Sequence, residues 1–116
     1  MIQSFKNLDV WQKSVNLCVE IYKITENFPK SEIFGLSSQI RRCTVAIPSN
    51  IAEGQSRGHR LEYIQFLRIA YASGCELETQ LLISKRIGYL SDDWYLKLSV
   101  QLTEILKMLN GLMRKI

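Results

Sequence analysis

Few side chains in this 116-residue chain could do covalent, metal or acid–base chemistry, and their spacing gives none of them a partner. The single histidine, His59, sits in a turn between arginines, in the run Arg57-Gly58-His59-Arg60. No serine or cysteine has a histidine at the separation of a known nucleophile motif. Cys18, Cys43 and Cys75 are widely spaced, form no CxxC pair and each fall beside apolar residues at helical spacing. They therefore read as small core residues rather than zinc ligands or a disulfide framework. The glycines match neither a phosphate-binding loop nor a dinucleotide fingerprint, and Glu76 and Glu78 leave a helix on different sides. The expectation is a protein that is not an enzyme and that needs no cofactor or metal. The chemistry left to it is the binding of anions by arginine.

A second unusual feature is the segment Ala46-Ile47-Pro48-Ser49-Asn50-Ile51-Ala52-Glu53-Gly54. It places a proline and several polar residues in a stretch with helical period. Interior proline removes the hydrogen bond to Thr44, at a cost of roughly 3 kcal/mol unless a kink is accommodated. Leu36, Ile40, Cys43, Ile47 and Ile51 share one face at 100° per residue, and Gln39, Arg42, Asn50 and Glu53 run along its edge. Polar groups at a core boundary need partners. These four are expected to form a structural hydrogen-bond network, with Asn50 and Glu53 pairing with Arg42 or a neighbouring helix end.

Charge is unevenly spread. The chain carries a net +4 with a pI near 9.1. Residues 41–68 hold +3, residues 85–116 another +3, residues 69–84 hold −2 and residues 1–40 balance. Such arginine-rich clustering suits a polyanionic partner. A hydrophobic fraction of 47% with 22% charged residues excludes a disordered chain. No uncharged run approaches the ~20 residues of a membrane span, and the Met1-Ile2-Gln3-Ser4-Phe5-Lys6 start lacks a secretory h-region. A cytoplasmic protein with no membrane partner is expected, folded as one domain over residues 1–116.

The elements that must position these residues all have helical period. Asp9 with Gln12 resembles a capping box opening a first helix that ends near Asn27, before Phe28-Pro29. Helix two spans about Leu36 to Glu53, with Gly54 placed to terminate it. Helix three spans Arg60 to Ile87 and stops at Gly88. Ser91 caps a fourth helix whose stripe is Trp94, Leu98, Gln101, Ile105, Leu109, Leu112 and Ile116. Four helices with short connections predict an all-α, antiparallel up-down four-helix bundle.

Helix three exceeds what one bundle can cover. Tyr63, Phe66, Leu67, Ala70, Gly74, Leu77 and Leu81 form a core stripe; Ile64, Tyr71, Cys75 and Leu82 form a second; Ile69, Ile83 and Ile87 form a third. The second stripe is the expected oligomer interface.

Phe5-x-x-Leu8-x-Val10-Trp11-Gln12, Tyr22-x-x-Thr25-x-x-Phe28-Pro29-x-x-Glu32-x-Phe34-Gly35-Leu36-x-x-Gln39-x-Arg41-Arg42 and Asn50-Ile51-Ala52-Glu53-Gly54-x-x-Arg57 together resemble the bacterial four-helix-bundle proteins encoded in 23S rRNA intervening sequences. The likeness continues through Tyr63–Glu78 into Gly88-Tyr89-Leu90. It implies a four-helix protomer assembling as a ring-like homo-oligomer, typically a homopentamer. The family is related to the accessory variability proteins of diversity-generating retroelements, which bind nucleic acid and a reverse transcriptase. Cys43, Thr44 and Pro48 stand where other members have serine or alanine.

Two functions follow as expectations. The first is a non-catalytic basic oligomeric adaptor that binds RNA or DNA through phosphate contacts by Arg41, Arg57, His59, Arg60 and Arg86. The alternative is a protein–protein scaffold ring that binds no nucleic acid.

Overall fold

Two of the three connections between helices, of three and five residues, are short enough to make the chain reverse direction, and the third has ten residues. The computed structural model describes residues 4–116, so Met1, Ile2 and Gln3 of the chain's start lie outside it. A short 3₁₀ turn at Phe5–Asn7 leads into α1 (Asp9–Thr25), and a second, Lys30–Glu32, bridges to α2 (Leu36–Ser56). α3 (Arg60–Arg86) and α4 (Asp92–Lys115) follow. Among the described residues there is no strand.

Side-chain register gives the topology. Arg41 of α2 reaches back to Thr25 near the end of α1. Cys43 of α2 meets Glu76 of α3, while Gly54 lies against Phe66. Gly74 of α3 faces Leu102 and Leu106 of α4, and Lys85 reaches Asp92. Lys13 pairs with Glu104 and Glu20 with Lys97 across α1 and α4. At each interface rising numbers meet falling ones, so all four neighbouring pairs are antiparallel. α1 packs on α2 and α4, α3 packs on the same two, and the backbones of the diagonal pairs stand further apart.

One core runs along the axis, formed by Leu17, Ile21, Ile40, Ile47, Ile51, Leu67, Leu77, Leu81, Leu98, Leu102, Ile105 and Leu109. Each fully buried side chain of this kind contributes about 1.5–3 kcal/mol. The α2 face matches the sequence pattern. That of α4 is rotated: Leu102 and Leu106 are buried where they meet the gap left by Gly74, whereas Trp94 is exposed and Gln101 half-buried.

Several local expectations are corrected. Leu8, not Asp9, is the N-cap of α1 and makes no side-chain cap bond, while Gln12 Nε2 donates to the Lys6 carbonyl at 2.8 Å. The capping box is therefore absent. Pro48 is buried inside an uninterrupted α2. Gly54 is buried and interior, because the helix continues to Ser56. Cys43 is buried and Cys18 half-buried, but Cys75 is exposed. Gly88, at φ 89°, does end α3, and the Ser91 hydroxyl accepts from Trp94 N at 3.2 Å as a helix cap should.

Candidate nucleic-acid interface

The α2–α3 turn is tight because Gly58 takes φ 67°, a conformation with no strain for glycine. It places Arg57, His59 and Arg60 in solvent at one end of the bundle. Arg57 is partly committed: its Nη2 lies 3.3 Å from Glu53 Oε1 and its guanidinium sits 5.1 Å from the centre of the Phe66 ring. Arg60 Nε donates to the Ile116 carbonyl at 2.6 Å. That bond brings the last turn of α4, with Arg114 and Lys115, beside the start of α3. Among the described residues Arg114 and Lys115 make no ion pair. The Phe5–Asn7 turn with Lys6 packs on α2.

Arg41 and Arg86 lie elsewhere. Sixteen residues of α2 separate Arg41 from Arg57, about 24 Å at 1.5 Å per residue, and Arg86 is about 39 Å along α3 from Arg60. The five basic candidates thus divide between opposite ends of a molecule 47 Å long. Arg41 is also held fast, by Nε to Thr25 Oγ1 at 2.9 Å, by Nη2 to the Tyr22 carbonyl and Glu26 Oε1 at 3.2 Å each, and by stacking over Tyr22 at 4.7 Å. Arg114 and Lys115 escape a reading of local sequence because they are 54 residues or more from Arg60. Only the reversal of α4 brings them together.

The expected polar network does not form. Gln39, Arg42 and Glu53 are exposed, and only Asn50 is half-buried. Asn50 Nδ2 donates to the Ala46 carbonyl at 2.7 Å within its own helix. Glu53 pairs with Arg57, not Arg42, and Arg42 lies 3.7 Å from Glu76 of α3. These residues sit at helix edges facing water, so each finds its nearest opposite charge.

Glu76 Oε2 is instead a meeting point between α2 and α3. It accepts from the Cys43 thiol at 3.1 Å and from Gln80 Nε2 at 3.4 Å. Burial, then the bond to Glu76, pushes the Cys43 thiol up to about 11, which makes it a poor nucleophile at neutral pH.

On α3 the proposed interface residues Ile64, Tyr71 and Leu82 are half-buried, Tyr71 packing against the core, and Cys75 is exposed. Exposed apolar residues include Leu61, Ile69 and Ile83 on α3, Ile87 just past its end, Leu96 and Val100 on α4, and Ile33 and Phe34 in the α1–α2 connection, Phe34 being 97% exposed. No helix among the described residues is long and apolar enough to cross a membrane.

A family model described as 23S rRNA-intervening sequence protein matches residues 6–111. The crystal structure of a protein of unknown function from the S23 ribosomal protein family of Bacteroides thetaiotaomicron is similar to this fold with a TM-score of 0.81. The two are 31% identical, over 90% of this chain and 97% of that one. No curated protein matches the chain. A family match over nearly the whole length, carried on the same four-helix fold, places this chain in the 23S rRNA-intervening sequence protein family.

Proposed function

We propose that this protein is a non-catalytic adaptor that binds RNA, or other nucleic acid, through phosphate contacts at the basic end of the bundle. The observation that carries this reading is the pair Arg114 and Lys115, which make no ion pair among the described residues, beside Arg57, His59 and Arg60. Guanidinium and ammonium groups free of carboxylates remain available to phosphate oxygens. Without base-reading geometry, affinity should be modest and weakly sequence-specific. Self-association into a ring, as a pentamer, would repeat the basic end on every subunit and raise avidity without new contacts. On this reading the chain shares nucleic-acid binding with the accessory variability proteins of retroelements, and Arg41 and Arg86 lie outside the interface.

The test is binding of structured RNA at about 50 mM salt, followed through rising salt. Arg60→Glu with Arg114→Glu should weaken binding of unrelated sequences alike and flatten the salt dependence. No binding by the intact protein at low salt would end this reading.

A second reading, a scaffold whose ring is its function, draws on the exposed Leu96, Val100 and Phe34. Partner capture by apolar contact should persist at high salt, where phosphate binding is lost.

A further inference from the structure

A cavity of about 500 Å³ lies at the opposite end from the basic turn, where the α1–α2 connection folds over the start of α2. Its walls combine an apolar side, Phe28, Pro29 and Ile33, with Ser37, Ser38 and Arg41.

The polar side has unused donors. Of the first N–H groups of α2, Leu36 N is bonded by Glu32 Oε1 and Gln39 N by the Gly35 carbonyl. Ser37 N and Ser38 N are left among the orphan donors that any helix start presents, where the helix dipole favours an anion. Ser37 is 7% exposed as a residue and lines the cavity; its hydroxyl makes no hydrogen bond among the described residues and stays open to the cavity. Water serves that hydroxyl in the free protein, and a ligand oxygen can take the water's place. Arg41 completes the set. Thr25, Tyr22 and Glu26 fix its Nε and Nη2, so its Nη1 hydrogens remain available in a guanidinium that needs no further ordering. Glu26 offsets the charge of Arg41, and Arg42, also in the wall, pairs with Glu76 of α3, so the cavity's attraction for an anion comes from its directed donors and not from net charge.

We propose that this cavity is a binding site for a phosphate monoester. Its phosphoryl oxygens accept from Ser37 Oγ, the Ser37 and Ser38 N–H groups and Arg41 Nη1, and its organic part lies against Phe28, Pro29 and Ile33. A volume of about 500 Å³ is several times that of a bare phosphate, which leaves room for that part. The site is separate from the basic end and does not depend on it.

Calorimetric titration of the full chain in phosphate-free, low-salt buffer tests this, with adenosine 5′-monophosphate, inorganic phosphate and adenosine as probes. Saturable binding of the monophosphate, weaker binding of phosphate and none of adenosine is expected. Ser37→Ala should leave the melting temperature of the free protein unchanged and weaken the monophosphate about tenfold, the effect of one charge-assisted hydrogen bond. Ser37→Asp should abolish binding by repulsion, although an acidic residue in the first helical turn stabilises the helix. A 5′-phosphorylated oligonucleotide compared with its 5′-hydroxyl twin separates a free small ligand from a chain-end phosphate. Arg60→Glu with Arg114→Glu should change none of this. The proposal is overturned if neither the monophosphate nor phosphate binds at millimolar concentration. It is equally overturned if both Ser37 variants bind as well as the parent, or if binding is lost with the Arg60 and Arg114 changes.

Discussion

Gly54 of α2 lies directly against Phe66 of α3: a Cβ added at Gly54 would stand 2.6 Å from Phe66 Cβ and 3.2 Å from Tyr63 Cδ1. Phe66 Cβ is bonded to the backbone of α3, so it cannot swing aside. The glycine sets the closest approach of the two most extensively packed helices.

Gly54→Ala should therefore destabilise the protein by about 1–3 kcal/mol, the usual cost of overpacking, despite alanine's better helix propensity. Gly111 of α4 has nothing within 4 Å of the same position. Gly111→Ala should stabilise by about 0.5–1 kcal/mol. Urea denaturation of the two variants would give shifts of opposite sign.

Glu53→Ala should change stability by less than about 1 kcal/mol, because its partner is the exposed Arg57 one helical turn away. A loss of several kcal/mol in denaturant unfolding would mean that Glu53 is covered by something outside this protomer.

Stability should fall between about pH 9 and pH 11. An ordinary thiol ionises near pH 8.5, whereas Cys43 in the folded chain holds its proton to about 11. The folded state thus binds more protons than the unfolded state in that window, so the contribution is full below the lower value and lost as pH passes the upper. Burial raises Cys18 in the same direction. Cys43→Ala should make the decline in urea midpoint shallower across this range. At pH 8 a thiol reagent should modify the exposed Cys75 before Cys43.

Leu96→Asp with Val100→Asp should disrupt self-association and leave the protomer folded, since both residues are open to solvent on α4. Tyr71→Asp should unfold it instead, as Tyr71 packs against the core. Sedimentation equilibrium at micromolar concentration reads both, and a parent protein that sediments as a single 13.4 kDa species would exclude the ring.

The sequence by itself determined the helices and the inner face of α2. Ile40, Cys43, Ile47 and Ile51 recur at helical spacing, and Gly58 and Gly88 mark the turns, because hydrophobic periodicity and φ preference are local properties. Tertiary structure decided which neighbour each residue meets. Gly54 reads locally as a helix stop, yet it serves a close approach to α3 that no local pattern encodes. Glu53 and Arg42 look like partners on one wheel, but across an antiparallel interface Glu76 is nearer to Arg42. The candidate site divides in the same way. Arg57, His59 and Arg60 are adjacent in sequence and stay together, whereas Arg114 and Lys115 join them, and Arg41 leaves, only because alternate helices run in opposite directions and carry their ends to opposite poles.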